Sequence, residues 1–229
     1  MIFINKVIIV GGPPGVGKST FISEINTDNY KVYDLDLYRF TFPNYINLIK
    51  DKPVSINKLT SQFAGSFMHK DIVNSLENRD NFILECTFSS YENTLEEIIQ
   101  KKYSLDITVY LLISSFYEIL LSIYERYIKS FNELGYGRII DITTLKLKYD
   151  FFKNYISKIF SYNIDTKLFL RENEEFKNID LGDISLISNR SADFNHRLQF
   201  IEKSINNINN EELQNEFVKV KRYFKDVNN

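Results

Sequence analysis

The chain has 229 residues, 44% hydrophobic and 25% charged, which is an ordinary globular composition. That length suits one generous domain with a full core, and a single cysteine (Cys86) with two histidines (His69, His196) argues against disulfide or Cys/His zinc support. A net charge of −2 without a long basic run argues against life on nucleic acid, and no apolar run reaches the roughly 18–20 residues of a membrane span.

The longest apolar stretch, 109–123, is interrupted by Ser114, Ser115 and Glu118. Residues 1–10 carry one charge, Lys6, and run into a glycine-rich loop without a cleavage-type site, so they read as a first strand rather than a signal peptide, and a cytoplasmic location is expected. Within them, 6–10 is a β-branched run bounded by glycines, the mark of a fully buried strand. The loop 11–17 and a helix over 18–26 follow, then a short strand over 30–33 that ends in Asp34 and Asp36. Leu59, Phe63, Phe67, Ile72 and Leu76 recur at helical spacing over 55–78. A third strand is predicted over 82–85, a helix over 91–101 and a fourth strand over 106–113. Two helices, 115–131 (closed by Gly135) and 143–160, lead to a fifth strand over 167–170. After Arg171 the chain turns acidic and polar over 172–183. It then reads as polar helix over 191–226, broken by the Asn-rich 206–210.

The segment Gly12-Pro13-Pro14-Gly15-Val16-Gly17-Lys18-Ser19 fits G-x-x-x-x-G-K-[ST], and Thr20 follows it into the helix. It lies after a buried strand and before a helix, where glycines let main-chain N–H groups turn inward on phosphate and the helix N-terminus adds positive charge. Lys18 is expected to reach the β- and γ-phosphates of ATP and the Ser19 hydroxyl to sit on Mg²⁺. Strands alternating with helices around such a loop predict an α/β, nucleoside-kinase-like P-loop NTPase: three layers, with a central parallel sheet of about five strands. The kinase domain spans 1–175, and 176–229 is a helical extension packed on the same domain. A GTPase would need N-K-x-D, and the only approach, Asn57-Lys58-Leu59-Thr60, lacks the Asp and comes too early. A motor or transporter ATPase would end a hydrophobic strand in Asp, whereas 109–113 ends in Ser114 and Ser115. Small P-loop kinases remain, acting on a small molecule or a nucleic-acid end.

Transfer to a hydroxyl needs a carboxylate that orients the acceptor and takes its proton. Asp34 and Asp36 follow the second strand at the sheet edge where ligands bind, pointing to one side of an extended segment, and Asp36 is the candidate base because it lies further past the strand end. Glu85 closes the third strand after three apolar residues and is expected to serve Mg²⁺ through water or the acceptor, with Thr87 adding a hydroxyl contact. Charge on the migrating phosphoryl calls for cations. Arg126, late on its helix, and Arg138, in a Gly-flexed segment, are the candidates for a lid. Arg171 follows the fifth strand, where a loop approaches the adenine and a guanidinium can stack on the base.

Taken in order, the phosphate loop 12–19, Asp34-Leu35-Asp36 with Pro43-Asn44, the 82–87 segment, Tyr124-Glu125-Arg126-Tyr127, Arg138 and Leu170-Arg171 resemble the zeta toxin family over about residues 5–175. The resemblance implies a P-loop kinase of a bacterial toxin–antitoxin system, one that phosphorylates the sugar 3′-hydroxyl of UDP-N-acetylglucosamine with ATP, or GTP in some members. It implies Lys18 on phosphate, Ser19 on Mg²⁺, Asp36 as base, Glu85 and Thr87 at the acceptor, and Arg126 and Arg138 on the transferred phosphoryl. A small helical antitoxin is the partner it implies. The chain departs from the family pattern at Phe42 (where His usually precedes Pro), at Cys86 (usually Gly), and at Phe88, Ser89 and Ser90, which supply no Arg. Other kinases of the same fold, with polynucleotide, nucleoside or antibiotic acceptors, are the alternative enzyme readings. A nucleotide-dependent binding module without acceptor chemistry is the non-enzyme one.

Overall fold

Alternating residues of the first strand feed two separate apolar layers, and the rest of the fold is organised around that division. In the computed structural model, which describes residues 5–25, 28–88, 96–99, 104–172, 174–187 and 194–227, β1 runs from Asn5–Gly11. Val7 and Ile9 point into one buried cluster, and Ile8 and Val10 into the other. β1 pairs in parallel on both sides, with β3 (Phe82–Cys86) and β4 (Leu105–Ile113). β2 (Lys31–Tyr33) extends the sheet beyond β3, and β5 (Asp165–Glu172) beyond β4, both in parallel. The order is β2-β3-β1-β4-β5-β6. The sixth strand, β6 (Glu175–Ile179), is antiparallel to β5 and went unforeseen in the polar stretch after Arg171. It is an edge strand, so most of its side chains are exposed and its sequence carries little apolar signal.

α1 (Lys18–Glu24) and α5 (Phe116–Leu134) cover one face of the sheet; α4 (Ile56–Asn78) and α6 (Ile142–Ser161) cover the other. The two long helices between β4 and β5 each start on a side-chain cap: Ser115 Oγ accepts from Glu118 N–H, and Asp141 Oδ1 from Thr144 N–H. Gly135, at φ 76°, closes α5 in the left-handed region. Only 96–99 of the helix expected over 91–101 lies among the described residues, and these four are helical. Two short helices were not foreseen, α2 (Leu35–Arg39) and α3 (Tyr45–Asp51).

The chain ends in α7 (Phe194–Asn206) and α8 (Glu211–Val227). Leu213, Phe217, Val220 and Phe224 form one stripe of α8, and with Ile201 and Ile205 of α7 they join the same apolar cluster as Phe21 of α1 and Leu120 of α5. Arg197 fastens α7 to α5, donating to both Glu125 oxygens at 2.7 Å and to Glu118 at 2.5 Å. Among the described residues no helix is long and apolar enough to cross a membrane.

Candidate active site

The phosphate loop leaves β1 and enters α1 with Gly15 at φ 83° and Gly17 at φ 93°, a conformation that side-chain-bearing residues adopt at a cost. Space is as restrictive as torsion. A Cβ on Gly12 would stand 2.6 Å from the Leu112 carbonyl oxygen, and one on Gly15 would stand 2.7 Å from Ile123 Cγ1. Lys18 is buried and its Nζ donates to the Gly12 and Pro13 carbonyls, each at 3.2 Å, with Glu85 Oε1 at 3.8 Å. Burial lowers its pKa while the field of Glu85 opposes the shift. Ser19 Oγ donates to Glu85 Oε2 at 3.0 Å. Burial in turn pushes the Glu85 carboxyl up, against the pull of Lys18. Glu85 therefore sits on the Lys18 and Ser19 side of the site.

The acids after β2 are arranged differently from the extended segment expected. Asp34 is the N-cap of α2, its Oδ1 accepting from the Asp36 N–H at 2.9 Å, so Asp36 lies in the first helical turn. A helix begins there because the cap satisfies an otherwise orphaned donor, and the short-range pattern of alternation cannot report that. Asp36 is held by two guanidinium groups: Arg138 Nη2 pairs with Oδ2, and Arg39 Nε lies 3.3 Å from Oδ1. Of the two aspartates it is Asp34 whose field, with that of Glu85, reaches Lys18 and Arg126; burial raises its pKa while Arg138 and Lys18 draw it down.

Arg138 Nη1 also donates to Asn57 Oδ1 at 2.6 Å, so α4 fixes the guanidinium that grips Asp36. Burial lowers the Arg138 pKa to about 10. Arg126 stands mid-way along α5, not near its end, because the helix continues to Leu134. Its side chain is open to the cleft yet crowded by the cleft walls, which lower its pKa against the fields of Glu85 and Asp34.

One cleft of about 650 Å³ gathers these groups. Lys18, Asp36, Glu85, Thr87, Arg126 and Arg138 all line it, and the phosphate loop contributes Pro14 and Gly15. Thr20 lies on the exposed face of α1, outside that lining. Arg171 belongs to β5 itself and not to a loop after it, since the strand runs on to Glu172 and turns back into β6. It packs on the outside of the phosphate loop, with Nη1 3.4 Å from the Gly15 carbonyl and a buried Nε that has no hydrogen-bond partner among the described residues. Lys148 was not anticipated. It lines the cleft from α6, and burial plus the fields of Lys18, Arg39 and Arg138 lower its pKa to about 8. One lysine on a lysine-rich amphipathic helix carries no signal of its own. Arg39 was missed for a related reason, because its contacts to Asn57 and Thr60 are made across the fold.

The sequence profile of the zeta toxin family matches residues 5–175. The chain belongs to the zeta toxin family. Membership makes it a protein of P-loop kinase type. Comparison with curated protein sequences gives no match. Among solved structures, a chain of the PezAT chromosomal toxin–antitoxin system of Streptococcus pneumoniae is similar, with a TM-score of 0.61 and 18% identity over 89% of this chain and 87% of that one. A chain of the AvrRxo1-ORF1:-ORF2 complex with ATP is also similar, at a TM-score of 0.58 and 11% identity over 82% of this chain and 65% of the other. These likenesses establish that the zeta toxin fold is shared.

Proposed function

We propose that this zeta toxin family member is an ATP-dependent kinase that transfers the γ-phosphoryl group to a hydroxyl of a small molecule, with a UDP-N-acetylsugar as the acceptor. The observation that carries the reading is the single cleft in which a phosphate-binding loop faces paired aspartates and arginines. Its volume of about 650 Å³ is that of a small-molecule site and favours such an acceptor over a polynucleotide.

In this reading phosphate oxygens replace the Gly12 and Pro13 carbonyls as partners of Lys18. Arg138 exchanges Asp36 for the migrating phosphoryl, joining Arg126, and the exchange frees Asp36 Oδ2 while Arg39 stays on Oδ1. The acceptor oxygen attacks the γ-phosphorus, its proton passes to Asp36, and the bond to the β–γ bridging oxygen breaks so that ADP leaves with that electron pair. Arg126 and Arg138 offset the charge spread over the equatorial oxygens. Thr87 would border the acceptor, and Glu85 would serve the phosphate and metal side of the same lining. Arg171, with its buried Nε beside Gly17, would meet the nucleotide from the far side of the loop.

The donor set suits Mg²⁺, since a hydroxyl and a carboxylate lie 3.0 Å apart at Ser19 and Glu85, both hard oxygen ligands. Ser19 would bind the metal directly and Glu85 through water. Held there, Mg²⁺ would supply positive charge against the charge that develops on the phosphates. A small helical antitoxin is the proposed protein partner, in keeping with the toxin–antitoxin system to which the PezAT relative belongs. The test is ATP consumption against a panel of UDP-sugars, nucleosides and hydroxylated antibiotics, comparing wild type with Asp36→Asn. Acceptor-dependent turnover that collapses in the variant supports the reading; equal turnover by both proteins removes Asp36 as base.

A further inference from the structure

Helix α8 lies beyond residues 5–175, the part matched by the family profile, yet it forms a wall of the acceptor cleft. Glu212, Asn215, Glu216 and Lys219 line the same space as Lys18 and Asp36. Their spacing of three and four residues puts them on one face of α8, beside the apolar stripe that anchors the helix to the core.

Two of these residues hold the wall in place. Glu212 accepts from the Val54 N–H at 2.9 Å, from the Ser55 N–H at 3.2 Å and from the Ser55 hydroxyl, which satisfies donors at the start of α4. Ser55 has no side-chain cap of its own there, so the carboxylate does that work from 157 residues away. Glu216 is buried. It accepts from the Ile142 N–H at 2.6 Å, at the start of α6, and from Lys219 at 2.8 Å. Between those two helix starts runs the strap that carries Arg138, and Asn57 ties it down by donating to the Ile139 carbonyl at 2.8 Å and accepting from Arg138. The other two residues, Asn215 and Lys219, remain available to a ligand. Among the described residues the Asn215 side chain makes no hydrogen bond, and that of Lys219 bonds only to Glu216.

We propose that α8 is the specificity wall of the acceptor site: Asn215 and Lys219 contact polar, hydrogen-bonding substituents of the acceptor away from its reacting hydroxyl, and so decide which alcohols fit. The proposal rests on the kinase reading above. A wall fixed at two helix starts cannot yield to a misfitting acceptor, and a polar group that loses its partner there is penalised strongly.

The test uses the full chain with Asn215→Trp, Asn215→Ala and Lys219→Ala, and Val218→Trp on the exposed side of the helix as control. KM for acceptor and for ATP is measured over the panel of UDP-sugars and other alcohols, with thermal unfolding as a check on folding. The expected result is a rise in acceptor KM of about tenfold or more and a changed ranking of acceptors, with ATP KM at the wild-type value and the control unaffected. If Asn215→Trp fails to fold, the two alanine variants give the same readout. Folded variants whose acceptor KM and ranking stay within about twofold of wild type overturn the proposal while leaving the kinase reading intact. A wild-type protein that phosphorylates no acceptor removes both together.

Discussion

Lys148 is expected to make the fold less stable at neutral pH. Burial, reinforced by Lys18, Arg39 and Arg138, brings its ammonium from the ordinary 10.5 to about 8. At about 1.36 kcal/mol per pH unit, this amounts to roughly 3 kcal/mol of destabilisation while the group is charged in both the folded and the unfolded chain. That condition holds below about pH 8. Between about 8 and 10.5 the folded protein releases the proton before the unfolded chain does, so the unfolded state binds more protons and stability rises with pH. Above 10.5 the penalty has vanished. Lys148→Met keeps the apolar stem and removes the charge. Near neutral pH the variant should be the more stable protein by about 1–3 kcal/mol, read as a higher urea midpoint and a Tm raised by roughly 2–4 °C per kcal/mol. The gap should close as the pH approaches 10.5. A variant no more stable than wild type near neutral pH, or a gap that persists at high pH, would refute the reasoning.

Two further outcomes follow from the same geometry. Gly15→Ala combines a positive φ with a Cβ 2.7 Å from Ile123 Cγ1 and 3.0 Å from the Ile119 carbonyl, so ATP affinity should fall by about tenfold or more, measured by calorimetric titration; unchanged affinity would mean the loop relaxes freely. Arg138→Lys keeps the charge but loses the fork that meets Asp36 and Asn57 together, so kcat should drop by about 10²–10³ while ATP KM stays close to wild type; steady-state kinetics with an unaltered kcat would take Arg138 off the transferred phosphoryl.

The parts of this protein that can be read from its sequence are those whose causes are local. The β1 run is apolar on both faces because helices cover both sides of a parallel sheet, and Gly15 and Gly17 answer torsional demands within the loop itself. The elements that escaped depend on distant partners. α2 is a five-residue helix held by Arg39, which reaches Asn57 and Thr60 on α4, and α3 rests on a small cluster of Tyr45, Ile49 and Ile56. β6 is legible only as the antiparallel partner of β5, and its Phe176 gains meaning from the ring of Phe21, 5.1 Å away. Within the cleft the phosphate loop announced itself, and order along the chain pointed to Asp36, Glu85, Arg126 and Arg138. Lys148, Arg39 and Glu212 did not stand out, since one charged residue on an amphipathic helix looks like any other until the fold places it.

The central claim is that one cleft joins a nucleotide's terminal phosphate to an alcohol. Tracing the label from γ-³²P-ATP tests it most directly. The account predicts that, with UDP-N-acetylsugars among the acceptors offered, label appears in a new phosphomonoester, and that Asp36→Asn binds ATP yet forms none of it. Label released only as inorganic phosphate, whatever the acceptor, would contradict it.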